Sequence, residues 1–249
     1  VFDKIAYSTI SFKNKSLKET LDRFKELNFE NIELHAYHFL KPRETTRVIE
    51  ENPKIMENYN FNIVMIDGGW TNFFTKVGPG SYAFSAVDKQ IKLAEKIGCY
   101  NLRLFFGIVD RDNFKEEMIY FAIKNITTLS YKYPHISFFF ENHAPGISNS
   151  PRVIKQLLDG INRQNIRMCF DPMNFEEEGF DPFIAVKILG PYISHAHLKT
   201  NFTMDNVLSC SKIPYYNGYI TIEDEKTTGD PFLRLFDAGI RLKGYIGND

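Results

Sequence analysis

Short apolar runs recur along the chain and alternate with amphipathic stretches. Eight of them read as strands: Lys4–Ser8, Asn31–Leu34, Asn62–Ile66, Asn101–Phe105, Ile136–Phe140, Ile166–Phe170, Tyr192–Ala196 and Tyr219–Ile222. Their largely apolar character is that of strands covered on both faces, which pair in parallel through helical crossovers. Leu17, Leu21, Phe24 and Leu27 share one helical face behind Ser16-Leu-Lys-Glu19, a capping box. Val87, Ile91, Ala94 and Ile97 repeat the pattern behind Ser85 and stop at Gly98. Met118, Phe121 and Ile126 give a looser helix after Asp112. Three later helices share one start, an N-cap residue followed by proline: Ser150-Pro151, Asp181-Pro182 and Asp230-Pro231. The stretch Thr45–Asn58, interrupted by Pro53, is a weak helix, and Asn201–Gly218 reads mostly as loop.

Eight strand–helix units in 249 residues predict an α/β chain folded as a closed (β/α)8 TIM barrel, with 1–249 as a single domain. A doubly wound open sheet is the rival. It carries a glycine-rich turn after its first strand, and Ser8-Thr-Ile-Ser-Phe-Lys-Asn14 has no glycine.

Composition narrows the function classes. The balance of 30 basic and 31 acidic residues provides no electrostatic footprint for nucleic acid or an anionic membrane. No apolar run approaches a membrane span, and the opening VFDKIAYSTI has no signal-peptide layout. Cys99, Cys169 and Cys210 form no metal-type pair, and an odd count suits free thiols in a cytoplasmic protein.

Candidate chemistry lies at strand ends. Glu141, Asp171, His197 and Glu223 each stand at or just past the end of a strand-like run, separated by 30, 26 and 26 residues (141 to 171 to 197 to 223). That spacing is about one crossover unit, so all four fall on the rim where barrel sites are built. Three oxygen donors and one nitrogen donor suit a divalent metal. A hydrogen-bonded network without metal is the alternative, because a carboxylate behind Phe138-Phe-Phe140 or Met168-Cys-Phe170 needs some partner.

Other residues have two readings each. His195, two before His197, shares its face and reads as a packed or supporting residue. His143 supports the site or belongs to a loop. His35 and His38 read as solvated loop histidines, although His35 has reach to a substrate. Lys199 makes polyol contacts or is a surface lysine. Glu33 shares the alternation of the second strand and faces the interior. The loop from Asp67 to Gly80, with Trp70, Phe73 and Phe74, closes over substrate or packs on another subunit, leaving a homo-oligomer open.

At these residues the chain resembles the xylose isomerase-like TIM barrel superfamily, nearly end to end. The resemblance rests on Ile5-Ala-Tyr-Ser8, Asn31-Ile-Glu-Leu34 and Leu93-Ala-Glu-Lys-Ile-Gly98, and above all on four segments at strand ends. These are Phe140-Glu-Asn-His143, Phe170-Asp-Pro-Met-Asn174, His195-Ala-His-Leu-Lys199 and Ile220-Thr-Ile-Glu223. Members resembling tagatose and psicose 3-epimerases hold one divalent metal on the matching Glu, Asp, His and Glu, and use both glutamates as an acid/base pair. The resemblance thus implies a sugar or polyol isomerase or epimerase with Glu141 and Glu223 catalytic and one Mn2+, Mg2+ or Zn2+ ion. It implies a small carbohydrate as substrate, met by Asn174, Lys199, His143, Trp70 and His35. Dehydration of a cyclic polyol or keto acid on the same site, and ligand binding without turnover, are the alternatives. Asn174 departs from the histidine common in the family, which points away from common free ketohexoses. Six histidines and near-neutral charge set the chain apart from endonuclease IV-like members.

Overall fold

A computed structural model of the chain describes residues 4–12, 15–39, 54–69, 71–76, 78, 82–143, 145–226 and 228–246. Eight strands run β1 (Ile5–Ser8), β2 (Asn31–His35), β3 (Asn62–Asp67), β4 (Asn101–Phe105), β5 (Ser137–Glu141), β6 (Ile166–Phe170), β7 (Ile193–Lys199) and β8 (Ile220–Glu223). They pair in parallel in chain order, and β8 closes on β1 with Ile5 opposite Ile220 and Tyr7 opposite Ile222. The fold is the (β/α)8 barrel that the alternation predicts.

Helices α1 (Leu17–Glu26), α2 (Tyr82–Ile97), α3 (Glu116–Lys132), α4 (Pro151–Ile161), α5 (Pro172–Glu177), α6 (Pro182–Leu189), α7 (Met204–Ser211) and α8 (Pro231–Ile246) carry the connections. Ser16 caps α1 by accepting the Glu19 N–H at 3.2 Å. Asp181 and Asp230 cap α6 and α8 one residue ahead of their prolines, accepting from Phe183 N and Phe232 N. Two helices correct the sequence reading. Helix α7 lies within the stretch read as loop, started by a box in which Thr203 Oγ1 accepts from Asn206 N and Asn206 Oδ1 accepts from Thr203 N. Helix α3 buries Ile119, Ala122, Ile126 and Leu129 rather than Met118 and Phe121, so its apolar stripe is displaced by one position. The weak helix read over Thr45–Asn58 lies largely outside the described residues.

Strand alternation divides the side chains into two populations. Outward residues such as Leu104, Phe138, Phe140, Phe170, Leu198 and Ile222 join the main core beneath the helices, with Phe24, Ile91, Ile126, Leu157 and Leu235. A second, small cluster of Ala6, Val64, Met65, Phe139 and Cys169 fills the barrel interior, with Tyr219 packed against it. Above this apolar plug the inward positions turn polar. Among the described residues no helix is long and apolar enough to cross a membrane. All three cysteines are free and buried.

Candidate active site

Because Phe139 points inward from β5, Glu141 two residues on does the same, at the strand's C-terminal end. By the same rule β7 sends His195, His197 and Lys199 inward, and β8 sends Thr221 and Glu223. The strands run further than the apolar runs suggest, and Glu141, His197 and Glu223 are strand residues held in register by the barrel. Asp171 directly follows β6 and caps α5, accepting on Oδ1 from Met173 N (2.8 Å) and Asn174 N (3.1 Å). Its backbone N–H donates to Asn142 Oδ1 at 2.9 Å. The rim placement of all four residues is fixed by backbone structure.

His197 is the centre of the arrangement. Its Nδ1 lies 3.4 Å from Glu141 Oε1 and 3.4 Å from Glu223 Oε2, and its Nε2 lies 3.1 Å from Glu33 Oε2. All four side chains are buried. The donor atoms of Glu141, His197 and Glu223 fall within 4.8 Å of one another, while Asp171 stands outside that triangle. His197 Nδ1 and Asp171 Oδ2 are buried atoms with no hydrogen-bond partner among the described residues. A buried polar atom without a partner carries a desolvation cost. These residues therefore fit a divalent cation: oxygen-rich, with one imidazole, and with two atoms still lacking a partner.

The electrostatics agree. Burial raises Asp171 to about 7 against the opposing pull of Lys199. Burial also lifts Glu223 well above the usual carboxylate range, helped by Glu141, while His197 opposes. For His197, burial works against the charged ring, but Cys169, Glu33, Glu141 and Glu223 outweigh it and hold its pKa well up. Negative charge is in excess at this point of the barrel.

Glu141 is the exception. Burial pushes its pKa up, yet Arg103 and His197 outweigh burial and hold it at about 2. Arg103, on β4, is buried across the barrel mouth, with Nε 3.2 Å from Glu141 Oε2 and Nη2 paired to Asp67 at the end of β3. Its guanidinium also lies over the Phe105 ring, 4.3 Å from the centroid. Arg103 and Asp67 are site residues that the sequence reading missed. Asp67 carried a usable signal, since it ends the Asn62–Ile66 run just as Glu141 ends its own. Arg103 carried a weaker one, a lone charge at an inward position of an apolar strand.

An open-mouthed cavity of about 190 Å3 lies over this rim, lined by His35, Arg103, Phe105, Glu141, His143 and Glu223 among others. His35 and His143 thus stand at the cavity. His35 and His38 are buried rather than solvated, because the chain turns tightly after β2 and packs both against Thr9 and its neighbours. Asn174 and Lys199 lie behind the wall, bonded to each other: Lys199 Nζ donates to Asn174 Oδ1 at 2.8 Å and pairs with Glu225 at 3.1 Å. Asn174 Nδ2 donates to Asn142 O at 2.9 Å. Lys199 is therefore no surface lysine. Trp70 lies outside the described residues. In the same loop, Phe73 and Phe74 are buried in the main core, Phe73 against Phe84 and Phe140, so neither serves as a lid or a subunit contact. Gly68 is needed for close approach: its N–H donates to Arg103 O at 2.9 Å, where a Cβ would stand 2.6 Å from that oxygen.

Residues 21–226 match the sequence model of the xylose isomerase-like TIM barrel family. The chain belongs to that family. No functionally curated protein matches it in sequence. Among solved structures it is similar to the probable 3-DHS dehydratase of petrobactin synthesis from Bacillus anthracis. That match has a TM-score of 0.73 at 18% identity and covers 99% of this chain and 100% of the other. A D-allulose 3-epimerase from Methylomonas sp. gives 0.78 at 14% identity over 97% of each chain. The 3-keto-D-glucoside 4-epimerase from E. coli gives 0.75 at 12% identity over 97% and 99%. At such identities the likeness is one of fold.

Proposed function

We propose that this family member is a metal-dependent isomerase or epimerase of a small sugar or polyol, acting by proton transfer alpha to a carbonyl. One observation carries the reading. Two carboxylates, Glu141 Oε1 and Glu223 Oε2, each approach to 3.4 Å of His197 Nδ1, an imidazole nitrogen with no hydrogen bond among the described residues. Two proton-transfer groups on the cavity wall thus meet at one imidazole nitrogen, the atom through which a histidine holds a metal.

Glu141, His197 and Glu223 would hold a divalent cation there, with Asp171 as the fourth donor. When bound, the cation supplies polarisation of the substrate carbonyl and its neighbouring hydroxyl, typically worth several kcal/mol. The residues do the rest. One glutamate takes the proton from the carbon alpha to the carbonyl. The other returns a proton, to the adjacent carbon for isomerisation or to the opposite face for epimerisation. Their surroundings differ: Arg103 keeps Glu141 as the carboxylate, whereas burial and neighbouring acids favour a proton on Glu223. Such a split suits a pair that must begin in opposite protonation states. A surrounding network of buried donors, rather than solvent, holds the geometry.

A second reading is supported by His143, which lines the same cavity beside Glu141. Loss of water from a beta-hydroxy carbonyl compound needs a proton for the departing hydroxyl, and a third titratable group on the wall suits that role. The two readings separate in deuterium oxide. With Mn2+ supplied, the expected result on a panel of ketoses and keto-polyols is deuterium at one carbon alpha to the carbonyl without loss of water. Water loss with a new conjugated absorbance assigns a dehydratase. No exchange into any panel member, with metal bound, leaves a binding protein.

A further inference from the structure

Glu33 sits on β2 and reaches across the barrel interior to β7, past β8 and β1, which lie between those strands. The reach is possible because β1 and β8 present small residues at this depth, Ala6 and Thr221, paired in register and fully buried. Glu33 Oε2 lies 3.2 Å from His195 Nε2 and 3.1 Å from His197 Nε2. His195 Nε2 is also 2.9 Å from Thr221 Oγ1.

An ionised carboxylate in this position has only acceptor capacity. It is tolerable in the apolar interior only if hydrogen-bond donors meet it. A proton on that oxygen could serve only one of the two Nε2 atoms against it, whereas an ionised oxygen accepts from both. The carboxylate therefore requires N–H at the Nε2 of both rings. For His197 this has a consequence at the opposite end of the ring: the proton that a cation displaces is the one on Nδ1, and its loss leaves the ligating lone pair there. That Nδ1 is the atom 3.4 Å from both Glu141 and Glu223.

We infer that Glu33 is a positioning residue that fixes His197 as the Nε2–H tautomer and so presents Nδ1 to a divalent cation between Glu141 and Glu223. The inference rests on the metal-site reading above. It adds a role for a residue that is remote from the cavity and belongs to a different strand. Carboxylates on the far nitrogen of a ligating histidine act in this way generally, orienting the ring and raising its basicity. His195 shares the same oxygen and shields the far side of it, so Glu33 has little freedom to turn away.

Glu33→Gln tests the inference. The amide is of equal size, but it offers an NH2 group as well as an oxygen, and so no longer enforces a proton on Nε2. Titration calorimetry with Mn2+ on metal-free protein is expected to show affinity about 10–100-fold below wild type. A second measurement stands independently of how the variant folds. In 15N-histidine-labelled wild type loaded with Zn2+, long-range proton–nitrogen correlation should show His197 protonated at Nε2 and shifted at Nδ1, with its signals identified by their loss in His197→Gln. Metal on Nε2, or a proton on Nδ1, overturns the inference. So does Mn2+ affinity in a folded Glu33→Gln protein equal to that of wild type. Wild type that binds neither ion removes the metal-site reading and this inference together. Metal binding that is intact in wild type and indifferent to Glu33 removes the inference alone.

Discussion

Glu141→Gln and Glu223→Gln are each expected to lower turnover at least about a hundredfold, the ordinary range for a general acid or base. The expectation comes from the shared approach of both side chains to His197 Nδ1 and from their place on the cavity wall. Glutamine preserves volume and one oxygen donor but accepts no proton in the working pH range. Because both residues are also proposed ligands, metal content has to be measured with each variant and the comparison made at equal loading. A metal-loaded variant that keeps wild-type turnover removes that residue from the acid/base pair. The two variants need not be equal. Glu141 is braced by Arg103 and Glu223 is not, so Glu141→Gln should also disturb the local fold more.

The second large effect concerns stability. Arg103→Leu is expected to destabilise the protein by about 3–5 kcal/mol, because it removes the buried guanidinium that Asp67 and Glu141 share. Arg103→Lys should recover only part of this, since a point charge does not reproduce a planar fork that meets two carboxylates and covers Phe105. The sign of the pH dependence follows from Glu141. Its pKa falls from 4.5 to about 2 in the folded protein, so its contribution is present above about 4.5 and is lost as pH falls towards 2. The gap between wild type and Arg103→Leu should therefore narrow on acidification below 4.5. Urea unfolding curves at several pH values measure it. A gap that stays constant or widens on acidification contradicts the brace.

Much of the fold is legible in the sequence because eight apolar runs alternate with helical patterns and three helices announce themselves with an N-cap and proline. The rim is legible for the same reason: a carboxylate or imidazole after a buried run is costly without a partner. What escaped was chemistry that needs two strands at once. Arg103 alone in β4 looks like a stray charge, and only the pairing of β3 and β5 on either side of it brings Asp67 and Glu141 to its two ends. Glu33 is similar, readable as an inward residue but not as the partner of two histidines from the far side of the barrel. Helix α7 was hidden because its capping box uses asparagine instead of Glu or Gln at the third position. Helix α5, at 6 residues, is too short to display a period. Phe73 looked like part of a closing loop because glycine and aromatics stood together, yet it packs in the core against Phe84 and Phe140.

The claim on which the account depends is a divalent cation at Glu141, Asp171, His197 and Glu223. Elemental analysis of protein purified without chelator and dialysed with Mn2+ measures it directly, on wild type, His197→Ala and Asp171→Asn. The last variant keeps an N-cap oxygen for α5 while removing the charge. The account predicts about one ion per chain in wild type and a clear loss in both variants, with each still folded by circular dichroism. Wild type without stoichiometric metal, or variants that retain the same ion at the same stoichiometry, would contradict it.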